Sequence, residues 1–235
     1  MKIENKTILI TGANGGLASA FINQLLKQNI KKIYCTARDI AKLEDLKKLS
    51  NKIEIFTLDI TKKEQALQVA SKIENIDILI NNAGVNSGKQ LFDYTQVDFE
   101  VNTFGTTNII DNFYKKINKG GAIVNITSVL ALINLPIMAF YCASKSALHS
   151  LTQALRAHAK KDGISVFEVL PGPIDTNMTK GQDMPKTSPD DIVKNVLESI
   201  TKDQYEIFPD RFSQMVNKRL NDDKEALEKE FAMSI

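Results

Sequence analysis

At 235 residues, 43% apolar and 25% charged, the chain can bury a full core and has too much apolar content to be intrinsically disordered. A formal net charge of +2 gives no electrostatic case for nucleic acid or an anionic membrane as partner, and no apolar run approaches the ~20 residues that cross a bilayer. Two histidines and two cysteines, Cys35 and Cys142, have no metal-ligand spacing, so neither a metal site nor a disulfide framework is expected. The opening residues lead straight into a strand pattern with no room for a signal peptide, and the expected compartment is the reducing cytoplasm.

In chain order, residues 7–11 form an apolar run ending in a glycine turn, and 17–27 carry helical spacing. A second strand at 32–36 precedes a charged helix at 40–49; a third at 53–58 precedes a helix at 63–73; a fourth at 77–80 precedes a long helix at 96–117. Buried strands at 121–127 and 164–170 flank a helix over 140–161. Helices at 190–201 and 212–231, with a short strand at 205–208, complete the pattern. Strands separated by helices need crossover connections, which build a parallel sheet covered on both faces. The expectation is one α/β domain over 1–235, a Rossmann-type doubly wound sheet with ligands beyond the carboxyl ends of its strands. Residues 171–189, rich in proline, read as a long loop of the kind that binds, forms a lid or is disordered, and the short stretch 179–189 suits a small or open substrate site. Residues 209–235 read as a helical tail, and the charge over 221–231 as a solvated helical end.

The first turn, Thr11-Gly12-Ala13-Asn14-Gly15-Gly16-Leu17-Ala18, joins a strand to a helix. Gly12 allows a tight turn, Gly16 lets backbone approach a pyrophosphate, and Ala18 is small enough for close helix packing. Such a turn aims backbone N–H groups and a helix N-terminus at an anion. Tyr141 and Lys145 lie one helical turn apart, and an ammonium there would lower a phenol pKa from its usual ~10. Ser128 follows an apolar strand at the edge where ligands bind, where its hydroxyl can hold a substrate oxygen.

The Thr-Gly-x-x-x-Gly-x-Gly arrangement, matched by Thr11, Gly12 and Gly16, resembles the short-chain dehydrogenase/reductase family, with Ala18 in place of the third glycine. The resemblance continues in Asn81-Asn82-Ala83-Gly84 after the fourth strand and in Asp59-Ile60 after the third. It implies a dinucleotide held by Thr11, Gly12, Asn14, Gly15, Gly16 and Leu17 at the phosphates, Asp59 and Ile60 at the adenine, and Asn82, Ala83 and Gly84 beside the adenosine. Strand two ends Cys35-Thr36-Ala37-Arg38 without the acid that would bind a ribose 2′-hydroxyl. Arg38 can fork onto a 2′-phosphate, which favours NADP(H). Asp39, able to pair with Arg38 or cap the next helix, and Gly15, where a basic residue can stand, keep NAD(H) possible.

Ser128, Tyr141 and Lys145 match the family's catalytic trio in order and spacing, and Asn102 matches its fourth catalytic position, whose main chain holds a relay water. Pro171-Gly172-Pro173-Ile174-Asp175-Thr176 resembles the Pro-Gly segment in which Ile174 and Thr176 anchor the nicotinamide carboxamide; Tyr141 and Lys145 also meet the cofactor. Asn125, Ser144, Ser146, His149 and Cys142 read as packing residues. The resemblance implies hydride transfer between nicotinamide and a small carbonyl or secondary alcohol, in a homodimer or homotetramer. A 3-oxoacyl-thioester reductase uses the same machinery. A dinucleotide sensor or scaffold without catalysis is the rival from another class.

Overall fold

Seven parallel strands, each feeding the next through a crossover, carry the whole computed structural model, which describes residues 1–234. They are β1 (Thr7–Thr11), β2 (Lys32–Ala37), β3 (Ile53–Thr57), β4 (Ile76–Asn81), β5 (Ile117–Ile126), β6 (Ser165–Val169) and β7 (Glu206–Ile207), in the order β3-β2-β1-β4-β5-β6-β7. The strand order reverses between β1 and β4, and a ligand crevice opens at such a reversal. Every residue of β1 is buried, because helices cover both of its faces.

One face is covered by α1 (Gly16–Leu26) and α6 (Pro189–Thr201), where Phe21, Ile22 and Leu25 join Val193, Val196 and Ile200 in one apolar cluster. The other face carries α3 (Lys63–Lys72), α4 (Thr106–Phe113) and α5 (Ala139–Ala159); Val69, Ile109, Phe113 and Ala159 fill it. The sheet is doubly wound and Rossmann-like, as the spacing of strands and helices predicts. A short α2 (Glu44–Leu49) links β2 to β3, and α7 (Arg211–Asp222) and α8 (Lys224–Ala232) follow β7.

Two expected helices differ. The run expected over 96–117 is a π-helical segment, Phe99–Gly105, then α4, then a 3-10 turn, and β5 begins at Ile117. Gly105 is the reason for close packing there: a Cβ on it would lie 2.9 Å from Ile60. Such π segments occur often at functional sites. The second difference is the tail. The helix expected over 212–231 breaks at Asp223 (φ −159°, ψ 50°). α8 then turns back, burying Leu227 and Phe231 with Val129, Ile133 and Val216 in a third apolar cluster. The tail is therefore not a solvated end: its charges occupy one face, and an i, i+4 apolar pair anchors the other.

Candidate active site

The crevice holds a cavity of about 920 Å³ whose two ends differ in what lines them. At the first end, Gly12 adopts φ +65°, and a Cβ there would come within 2.9 Å of the Ala83 Cα, so both conformation and space require glycine. Asn82 Nδ2 donates to the carbonyls of Thr11 (2.9 Å) and Gly12 (3.2 Å), while the Thr11 hydroxyl accepts from the backbone N–H groups of Asn82 and Ala83. The turn is thus stitched to the end of β4. Thr11 itself is buried and off the cavity wall, its hydroxyl accepting both bonds of the stitch. Gly12, Asn14, Gly15, Gly16, Leu17, Asn82, Ala83 and Gly84 do line the cavity. α1 starts at Gly16 with no side chain capping it, so its N-terminal N–H groups face the crevice without a competitor. Ala18 is fully buried in the core and does not reach the cavity.

At the end of β2, Arg38 is exposed on the cavity wall and, among the described residues, makes no ion pair. Asp39 instead caps the next turn by accepting from Ala41 N (3.1 Å). Asp59 closes a turn of its own, Oδ1 accepting from Thr61 N (2.9 Å) and the Thr61 hydroxyl (2.7 Å); Asp59 and Ile60 both face the cavity.

Where the two ends meet, Ser128 is buried, accepts from Leu130 N (3.1 Å) and donates to Pro171 O (3.5 Å). Tyr141 faces the cavity, and desolvation pushes its phenol up to about 12, with the nearby Ser128 hydroxyl pulling the other way. The buried Lys145 donates to the Ile126 carbonyl (2.9 Å), its Nζ 5.8 Å from the Tyr141 ring centroid. Burial lowers its pKa to about 8, against the pull of Glu168 and Asp98. The expectation that Lys145 depresses the phenol pKa is corrected here. The ammonium is aimed at a carbonyl, and burial dominates the phenol. Asn102 lies behind this group, off the cavity wall. Its Oδ1 accepts from Val85 N (2.8 Å) and its Nδ2 donates to Val85 O and Ser144 Oγ (both 2.9 Å). A Cβ on Gly84 would touch both Asn102 Oδ1 (3.1 Å) and Lys145 Nζ (3.5 Å), which shows how tightly these three meet.

The residues read as packing have defined partners. Asn125 accepts from Asn81 Nδ2 and donates to Thr152 Oγ1, both at 2.9 Å. His149 Nδ1 sits 3.0 Å from both oxygens of the fully buried Glu168, and that bond raises the imidazole pKa. Cys142 is a buried free thiol beside Leu135, its pKa raised by burial.

Pro171, Gly172, Ile174 and Thr176 reach the cavity from the loop after β6, and Thr176 presses on Gly16: a Cβ there would lie 3.2 Å from Thr176 Cγ2. Pairing of Thr187 N with Pro173 O (2.9 Å) and of Asp175 N with Thr187 O (3.0 Å) ties the loop back on itself. One residue that sequence reasoning passed over is Asp210. Nearly fully buried, it accepts from Gly172 N (Oδ2, 2.8 Å) and from Ser213 N (Oδ1, 2.8 Å), joining the Pro-Gly segment to the start of α7. A Cβ on Gly172 would fall 2.7 Å from the Phe212 ring, so the tail rests directly on this glycine. The readable signal was Asp210-x-x-Ser213, a capping box. Phe212, Glu230 and Phe231 then wall the second end of the cavity, which the loop alone leaves open.

Residues 6–186 match the family model described as short chain dehydrogenase. The chain belongs to this family of oxidoreductases. A 3-oxoacyl-[acyl-carrier-protein] reductase of Rickettsia typhi is 35% identical over 74% of this chain and 75% of its own length. A 3-ketodihydrosphingosine reductase of Dictyostelium discoideum is 28% identical over 88% of this chain and 75% of its own. The crystal structure of a short chain dehydrogenase from Burkholderia cenocepacia J2315 in complex with NADP superposes with a TM-score of 0.93 at 33% identity, covering 98% of this chain and 99% of that one. In this short-chain dehydrogenase the family region stops at residue 186, and the tail that closes the cavity lies outside it. Among the described residues no helix is long and apolar enough to cross a membrane.

Proposed function

We propose that this chain transfers a hydride between NADP(H) and a carbonyl or secondary alcohol carbon of a small molecule. The observation that carries the reading is that Ser128, Tyr141 and Lys145 line one cavity wall, Lys145 lying 5.8 Å from the Tyr141 ring centroid. The residues fit a dinucleotide: Gly12 leaves room where any Cβ would collide, Gly16 where a Cβ would press on Thr176, and the uncapped start of α1 offers N–H groups to phosphate. Gly12, Asn14, Gly15, Gly16 and Leu17 would hold the pyrophosphate, Asp59, Ile60, Asn82, Ala83 and Gly84 the adenosine, and Tyr141, Lys145, Pro171, Gly172, Ile174 and Thr176 the nicotinamide riboside. Arg38, unpaired on the wall among the described residues, suits a 2′-phosphate and supports NADP(H) over NAD(H); the Burkholderia neighbour was solved with NADP.

When bound, the nicotinamide supplies the hydride. The chain supplies the rest. Ser128 holds the substrate oxygen and stabilises charge growing on it. Tyr141, held protonated by burial, donates its proton to that oxygen, which suits the reductive direction. Lys145 would hold the nicotinamide ribose, and Asn102, locked to Val85 and Ser144, fixes the segment facing Lys145.

Initial rates of NADPH and NADH oxidation against quinones, diketones, ketosugars and a 3-oxoacyl thioester test the reading. A lower KM for NADPH is expected, with Tyr141→Phe losing ~10²- to 10⁴-fold in kcat. Full activity in that variant would sink the mechanism. Tight NADPH binding with no turnover would support a sensor instead. Preference for the thioester would favour acyl-thioester reduction, for which the Rickettsia relative is the support. The same proposal includes assembly as a homodimer or homotetramer along α5 and the segment leading into α4, where Leu151 and Phe104 leave 44% and 63% of their surface exposed. Sedimentation velocity showing a monomer at micromolar concentration would remove that part.

A further inference from the structure

The far end of the cavity carries apolar side chains from three separate stretches of chain, set among Asn177, Thr179 and Gln182 of the loop and Ser234 of the tail. Leu135 and Met138 follow the Ser128 strand, Met178 and Met184 come from the loop after β6, and Phe212 and Phe231 come from the tail helices. Met178, Met184 and Phe212 keep 48%, 38% and 36% of their surface exposed although they stand at a cavity wall. Apolar surface left uncovered in a concave site marks a place that an apolar ligand covers. Methionine suits such a wall, because its unbranched, polarizable chain adapts to different hydrocarbon shapes.

The charges lining the cavity divide in the same way. Among the described residues its only cationic side chains are Arg38 and Lys145, one at the end of β2 and the other beside Tyr141. The tail contributes one carboxylate, Glu230, and its partner is Arg219 (2.5 Å) within the tail itself. An anionic group on the substrate would lose its hydration at this end and face a carboxylate that already holds Arg219. A neutral hydrocarbon loses nothing by entering.

The wall is also held firmly. Phe231 shares a buried cluster with Val129, the residue after Ser128, and with Leu227 of α8. Phe212 leans on Gly172, and its ring centre lies 6.4 Å from that of Phe231. From these observations we propose that the substrate is an uncharged ketone, or the matching secondary alcohol, bearing an apolar chain, and that the C-terminal helices form the wall that selects it. The proposal rests on the hydride-transfer reading and names the substrate class for it.

The test is a series of methyl ketones from butanone to dodecanone, run with NADPH beside oxo acids of matched length, with calorimetric titration of the corresponding alkanols as a readout independent of turnover. kcat/KM is expected to rise by about three- to fourfold per methylene until the cavity is filled. Each oxo acid should run at least ~10-fold below its ketone. Phe231→Leu should flatten the slope, dodecanone losing more than butanone. In case that buried position disturbs folding, Met184→Arg on the exposed loop is the second probe. It should raise the oxo acid relative to the ketone. A flat chain-length series, or an oxo acid preferred by the unaltered chain, overturns the substrate class while hydride transfer stands. Alkanol affinity that climbs with chain length without turnover of any ketone removes the hydride-transfer reading, and this inference with it.

Discussion

The two ends of the cavity are made of different material. The end proposed for the dinucleotide is mostly backbone: a glycine turn, a helix N-terminus and an Asn-Asn-Ala-Gly corner stitched together by Asn82 and Thr11. The far end is mostly side chains, brought together from a strand end, a loop and two terminal helices. Backbone sites constrain residue type directly, because only glycine fits where a Cβ would collide. Side-chain walls constrain little beyond apolar character, and many sequences satisfy them. One end is therefore fixed in kind, and the other is free to vary.

The contrast can be broken most severely at Asp210, the single carboxylate that joins the ends. Asp210→Ala removes three hydrogen bonds to a buried carboxylate, from Gly172 N, from Ser213 N (the α7 cap) and from Ser213 Oγ, and should cost ~4 kcal/mol in urea unfolding. A loss under ~1 kcal/mol would show that the tail docks on Phe212 and Phe231 alone.

Next in size is Lys145, at the junction. Its folded pKa of about 8 lies below the 10.5 of an unfolded lysine, so between these the folded chain binds fewer protons than the unfolded one. Unfolding free energy should therefore rise with pH across that window, by ~3 kcal/mol in all. Lys145→Met should lack this rise. Parallel pH–stability curves for the two proteins would mean that the ammonium is not desolvated. Catalysis moves the opposite way: the reductive rate should fall above about pH 8 as the cation is lost.

The smallest effect expected is at the backbone end. Gly12→Ala must hold φ +65° and push against the Ala83 backbone, which should cost ~2 kcal/mol and weaken NADPH binding more than ~10-fold. The ketone chain-length slope should survive in whatever activity remains. If it vanished, the two ends would not be separable.

The same contrast explains what could be read from the sequence. The strands, their parallel order and the Rossmann-like winding follow from apolar runs alternating with helical spacing. The glycine turn shows itself because glycine has few other reasons to cluster there. The tail was misjudged because Leu227 and Phe231 are only two apolar residues among many charges, and only tertiary contact with Val129 and Ile133 reveals their use. The π-helical segment gave no local signal either: Gly105 is close-packed against Ile60, a contact between residues distant in sequence. Lys145 is a third case. Its spacing from Tyr141 is plain, but the direction of its ammonium depends on the Ile126 carbonyl at the end of another element.

The break at Asp223 has a consequence in time. Both tail helices leave the ribosome after every strand of the sheet, and β7 ends at Ile207. Chains grow at ~5–20 residues per second, and parallel sheets are slow to pair. A nascent chain can thus complete its nucleotide half while Val129 and Ile133 stand uncovered. Docking of α8 over them both seals this sticky surface and completes the cavity wall, so protection against aggregation and the proposed choice of substrate would be conferred together.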